Sequence, residues 1–127
     1  MLEENPDARA TVLVVWEPVI WTDLAPPTTH TLGLVHDARA RQLWDPERLL
    51  SAHMVRTFLA DPERRAQGDV DEQTIVWDFV GVYPPHARWG DRAPAPEFYG
   101  YPVVQSQDGL RRALLGVGSH VPTSGRP

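Results

Sequence analysis

Residues 11–16 read Thr-Val-Leu-Val-Val-Trp, apolar at nearly every position and without alternation. Successive side chains of a strand point to opposite faces, so a strand of this kind needs cover on both sides, as in a parallel or mixed sheet of an α/β protein. Pro18 and the Pro26-Pro27 pair end it. A short helix over 28–35, weakened by Gly33, and a second strand over 41–44 follow. Asp45-Pro46-Glu47-Arg48 then reads as a helix start, with Asp as the cap and Pro at the first helical position. Leu50, Met54 and Phe58, at fourfold spacing, give that helix its buried face. The same four letters recur at 61–64, where they read as the end of that helix and a turn. Through Asp71 the chain is polar, the expected mobile loop.

Residues 74–83 are expected to form a second long strand. Residues 84–101 carry four prolines and no periodicity, but their aromatics, Trp89, Phe98, Tyr99 and Tyr101, argue for an ordered functional loop. Residues 102–104 make a short strand, and Asp108 caps a final helix with Leu110 and Leu114 on one face. At 127 residues the chain is one domain. It divides into a polar arm over 1–10, a single α/β domain over 11–115 and a flexible tail over 116–127. The fold class is α/β, a small mixed sheet with flanking helices.

Composition closes off several chemistries. The chain has no cysteine and no lysine, its 12 basic residues being arginine. Disulfides, thiol catalysis, thiolate zinc, Schiff-base chemistry and a P-loop are therefore excluded. The formal net charge of −5, with no basic block, argues against nucleic acid as a partner. No apolar run approaches the roughly 20 residues that span a bilayer, and the acidic Met1-Leu2-Glu3-Glu4 is unlike a signal peptide. The expectation is a soluble, cytoplasmic protein without membrane association.

One dipeptide, Trp followed by an acid, recurs in three strand-like segments: Trp16-Glu17, Trp44-Asp45 and Trp77-Asp78. Neighbouring strands would gather such acids in one place. Glu17, Asp23 and Asp45 fall at expected carboxyl ends of strands, where ligands bind in α/β sheets. A hard cation could bridge them, or Asp45 is a helix cap and Glu17 a solvated acid. Asp78, mid-strand between valines, needs an arginine partner, with Arg39 or Arg41 expected. His36-Asp37 is either a carboxylate-oriented general base or a helix-terminal pair.

The order strand, helix, strand, helix, strand, short strand, helix, with Gly100-Tyr101-Pro102-Val103-Val104, resembles a thioredoxin-like fold that lacks the first strand and helix. In thioredoxins a Gly-X-Pro turn with a cis proline leads into a late strand. Trp16-Glu17-Pro18 and Gln42-Leu43-Trp44-Asp45 are also similar to segments of bacterial thioredoxin-like proteins, which carry no activity to transfer. The place of the thioredoxin Cys-X-X-Cys holds Glu17-Pro18-Val19-Ile20-Trp21-Thr22-Asp23, so the resemblance implies no redox function. The missing strand and helix would leave a sheet edge or apolar face in need of cover, for which a second copy of the chain is suited.

Two functions follow. The first is a non-catalytic binding or assembly module for a protein or peptide, a homo-oligomer needing no metal or cofactor, with Trp21, Trp89, Phe98, Tyr99 and Tyr101 near its contact surface and Arg88 and Arg92 on the rim. The alternative is a hydrolase-like or divalent-metal-assisted enzyme with Glu17 and Asp23 as base or ligands, His36 as proton shuttle and the 84–101 loop as lid.

Overall fold

The computed structural model describes residues 2–20, 22, 24–67, 70 and 75–117, and within them a mixed α/β architecture with two small sheets and four helices. Strands β1 (Val12–Trp16) and β2 (Ala40–Trp44) pair in parallel, with Val12 level with Ala40 and Trp16 with Trp44. Helix α1 (Thr29–Leu32) connects them. Thr28 accepts from the Thr31 N–H at 3.3 Å, and Gly33 ends the helix after a single turn, short of the expected residue 35. On one face of this sheet the Trp16 indole N–H donates to Gln42 at 3.0 Å, and the Gln42 amide donates to the Leu32 carbonyl of α1 at 2.8 Å.

The second sheet is antiparallel. It pairs β3 (Val80–Val82) with β4 (Phe98–Gly100), Gly81 opposite Tyr99. Of the expected long strand 74–83 only β3 and an isolated Val70–Val76 bridge form, because Asp78 turns the backbone to φ 46°. Phe98–Gly100 is a strand where an irregular loop was expected. The expected strand at 102–104 is instead a 3₁₀ turn over Val103–Gln105. Tyr101–Pro102 is cis, but it leads into this turn and not into a strand, and the two sheets are separate where one mixed sheet was expected.

Helix α4 (Gln107–Val117) packs on the second sheet, while α2 (Leu49–Arg56) and α3 (Pro62–Gln67) pack on the 3₁₀ turn Phe58–Ala60 between them. Phe58 lies in a 3₁₀ turn after α2, yet it keeps its fourfold spacing from Met54, and both are buried. With Leu59, Ile75 and Val82 they make up the buried hydrophobic core of the described residues. Around it stand Phe79, Tyr99 and Tyr101, the Phe58 and Tyr99 rings edge to face at 5.1 Å, with the Arg64 guanidinium 4.7 Å above Phe58. Asp108 is the second residue of α4 and not its cap, while Ser106, just before the helix, is buried with its hydroxyl donating to the Pro102 carbonyl at 3.0 Å.

No described residue before Ser51 is buried. The β1–α1–β2 unit therefore stands outside the core and is tied to it by polar contacts. Arg39 forms one tie. Its side chain directs two N–H groups at Asp37 and the others at the carbonyls of Leu2, Asn5 and Ala8, so all five guanidinium donors are used. The N-terminal arm held in this way reaches α4 through Glu4 and Arg111, 3.0 Å apart. Residues 118–127, most of the expected tail, and residues 68–69 and 71–74 of the expected mobile loop lie outside the described residues.

Candidate functional site

The parallel register of β1 and β2 brings two of the three Trp-acid dipeptides level, so Glu17 and Asp45 emerge side by side where the strands end. Ser51, 2 % exposed in the first turn of α2, meets them. Its backbone N–H donates to one Glu17 oxygen at 3.0 Å and its hydroxyl donates to the other. The same hydroxyl accepts the Val76 N–H at 3.1 Å. Asp45 accepts the Leu50 N–H at 2.8 Å. Two carboxyl groups from two strands thus satisfy the orphan amides of one helix N-terminus.

Their protonation differs. Burial pushes the Glu17 carboxyl above its ordinary range against the pull of the Ser51 bonds, and the charge of Asp45 adds to the rise. Burial would also raise Asp45, but the amides of Leu50 and Leu49, together with the hydrogen bond to Glu17, outweigh it and hold Asp45 below the carboxylate range. When the pair holds one proton, Glu17 carries it. A raised acid beside an ionised one is a functional arrangement in many enzymes. Here both Glu17 oxygens are engaged by a buried serine, and the arrangement joins β1, α2 and the Val76 segment.

The other expected catalytic residues do not converge on it. His36 is exposed in the loop before β2, separated from Glu17 by the strand length of ~16 Å. Its neighbour Asp37 is occupied by Arg39, whose hydrogen bonds lower it to about 2. Asp23 and Trp21 lie outside the described residues. Asp78 is exposed at its positive-φ kink and not a buried strand acid, and the expected partners are elsewhere, Arg39 on Asp37 and Arg41 exposed on β2. Among the described residues no group of three or more His, Asp or Glu is placed to hold a metal ion.

The 84–101 segment is more ordered than its sequence suggests. The Ala93 N–H donates to the Thr57 hydroxyl at 3.2 Å, the Glu97 N–H to the Val82 carbonyl at 2.7 Å, and the Ala87 N–H to the Pro84 carbonyl at 3.1 Å. These bonds fold it back over α2, where the Trp89 ring meets Tyr83 at 5.4 Å and His53 at 6.0 Å. Trp89 remains 43 % exposed, with Arg88 and Arg92 exposed beside it. The expected contact aromatics therefore divide. Phe98 is packed so closely on α4 that a Cβ on Gly109 would lie 2.3 Å from its ring, while Tyr99 and Tyr101 join the core cluster. Burial pushes the Tyr83 and Tyr101 phenols up to about 12, and the Tyr101 hydroxyl is buried without a hydrogen-bond partner.

Phe98, Tyr99 and Tyr101 also line a shallow cleft of about 380 Å³, closed on its other side by Ser106, Asp108 and Arg112. No family model matches this chain, and neither does any curated protein or solved structure. What the chain does must therefore be argued from its own residues. Ser51 was not among the expected site residues: its contact with Glu17 spans 34 positions, and no local pattern marks it. No helix of the described residues is long and apolar enough to cross a membrane.

Proposed function

We propose that the chain is a non-catalytic binding or assembly module of thioredoxin-like type, working without a cofactor, which docks a protein or peptide on the loop between β3 and β4. The observation that carries this reading is Trp89, an indole left 43 % exposed although it is fixed against His53 and Tyr83. A rigid aromatic with arginines on its rim loses little freedom on binding, which is what a contact anchor requires. The Thr57–Ala93 and Val82–Glu97 bonds hold the loop in that shape before any partner arrives.

The enzyme alternative draws on the raised Glu17 carboxyl. The Ser51 bonds give that group a structural occupation, and the exposed His36 stands at the other end of the strands.

A displayed library of proline- and aromatic-containing peptides, selected on the immobilised full chain, distinguishes the two. Selected peptides are expected to lose at least tenfold in affinity on Trp89→Ala and to keep it on Glu17→Gln. Absence of enrichment, or ligands indifferent to Trp89→Ala, would overturn the binding reading. Turnover of an ester or phosphoester panel that vanishes in Glu17→Gln with the fold intact would replace it with the enzyme.

A further inference from the structure

The most apolar strand of the chain is covered on one face only. Val12, Val14 and Trp16 of β1 share a face with Gln42, which is bonded to α1. The opposite face presents Leu13 and Val15 of β1 beside Arg41 and Leu43 of β2, with Leu13 60 % and Leu43 51 % exposed.

We infer that this open face packs on the same face of a second copy of the chain, two-fold related, with the strands of the two copies antiparallel. The pattern of the face is complementary to itself under that operation. Leu13 comes over Val15 of the second copy, and Arg41 over its Leu43. Each Arg41 stem then covers a leucine, and the two guanidinium groups point away from each other. Each points toward the carboxyl end of the other copy's strands, two residues beyond Leu43, where Asp45 stands ionised beside Glu17. A two-residue step is ~6.6 Å, within reach of an arginine side chain.

Leu13 and Leu43 are the exposed large apolar side chains of this face, with Arg41 exposed and Val15 half-buried beside them. This inference rests on the assembly-module reading, but on a face other than that of Trp89.

Sedimentation velocity of the full chain across a hundredfold concentration range tests it. The chain is expected to dimerise, with Leu43→Asp and Arg41→Glu each weakening association at least tenfold, added salt weakening it further, and Trp89→Ala leaving it unchanged. Far-UV circular dichroism on each variant checks that the fold is kept, as substitutions at exposed positions predict. A chain that stays monomeric throughout the range overturns the inference while leaving peptide binding at Trp89 intact. So does a dimer that survives Leu43→Asp and Arg41→Glu but is lost in Trp89→Ala, which would assign self-association to the aromatic loop.

Discussion

Residues 12–49 are no poorer in large apolar side chains than residues 50–117, yet among the described residues the buried core lies in the second region alone. The difference lies in what is available to cover a sheet. At 1.5 Å per residue, α1 is ~6 Å long, whereas β1 and β2 run for ~16 Å. A helix of one turn shields part of one face and none of the other. In the second region α2 with its 3₁₀ extension and the eleven-residue α4 meet β3 and β4, and aromatic rings fill the space between. Hydrophobic content is therefore not enough to make a core. The covering layers must match in length.

The sharpest way to break this comparison is to delete equivalent side chains from the two regions. Leu59→Ala, at a position with 0 % exposure, is expected to cost about 2–5 kcal/mol in urea unfolding, whereas Leu13→Ala in dilute solution changes stability by less than about 0.5 kcal/mol. Next is the joint between them. Ser51→Ala strips a hydrogen bond from the Glu17 carboxyl and leaves the Val76 N–H unpaired, at about 1–3 kcal/mol. The near-UV signal of Trp16 and Trp44 should then be lost at lower urea than the core melts. Asp61→Ala, which removes the cap of α3, costs about 1 kcal/mol within the second region and leaves that signal alone.

Smaller effects come from Arg48 and from acid. Arg48 has φ 56°, a conformation that only glycine adopts without cost, so Arg48→Gly should gain about 0.5 kcal/mol in thermal unfolding. The Asp37 carboxyl is lowered to about 2 by Arg39, so the folded chain binds this proton less readily than the unfolded one. The contribution of the pair is complete above about pH 4 and is lost as pH falls toward 2. Amide exchange in the N-terminal arm should accelerate over that window with little change in the core, and Asp37→Asn should remove the dependence. Glu17 has the opposite sign. Its raised carboxyl binds a proton more tightly when folded, so its contribution declines as pH rises from its ordinary range through the raised one, and Glu17→Gln flattens that slope.

The two copies of Asp-Pro-Glu-Arg show how far local signals reach. The copy at 61–64 meets its own requirements: Asp61 accepts from the Glu63 and Arg64 amides at 2.9 and 3.2 Å, and Pro62 opens α3. At 45–48 the Asp45 N–H is already bonded to the Trp16 carbonyl at the end of the sheet, so Pro46 enters a turn, Arg48 becomes left-handed, and the helix begins at Leu49. The sequence reading assigned these roles the other way round because strand pairing, not the tetrapeptide, decided the first. The strand-like 12–16 and 40–44 segments, their paired acids and the α2 stripe were legible because each depends on short-range periodicity. The pairing of β4 and the role of Ser51 were not, since each is fixed by a residue far along the chain, and the break at Asp78 is a left-handed backbone turn inside a strand-like pattern.

With the buried core of its described residues lying beyond residue 50, the chain is synthesised in the reverse of the order in which it can fold. At roughly 5–20 residues per second, the apolar β1 segment leaves the ribosome several seconds before Phe58, Ile75 and Tyr99 have all followed. Through that interval Val-Leu-Val-Val-Trp is without the packed helix that presents Ser51 to Glu17 in the finished molecule. Chaperone demand during translation should therefore concentrate on residues 2–50, where none of the described side chains is buried in the finished molecule.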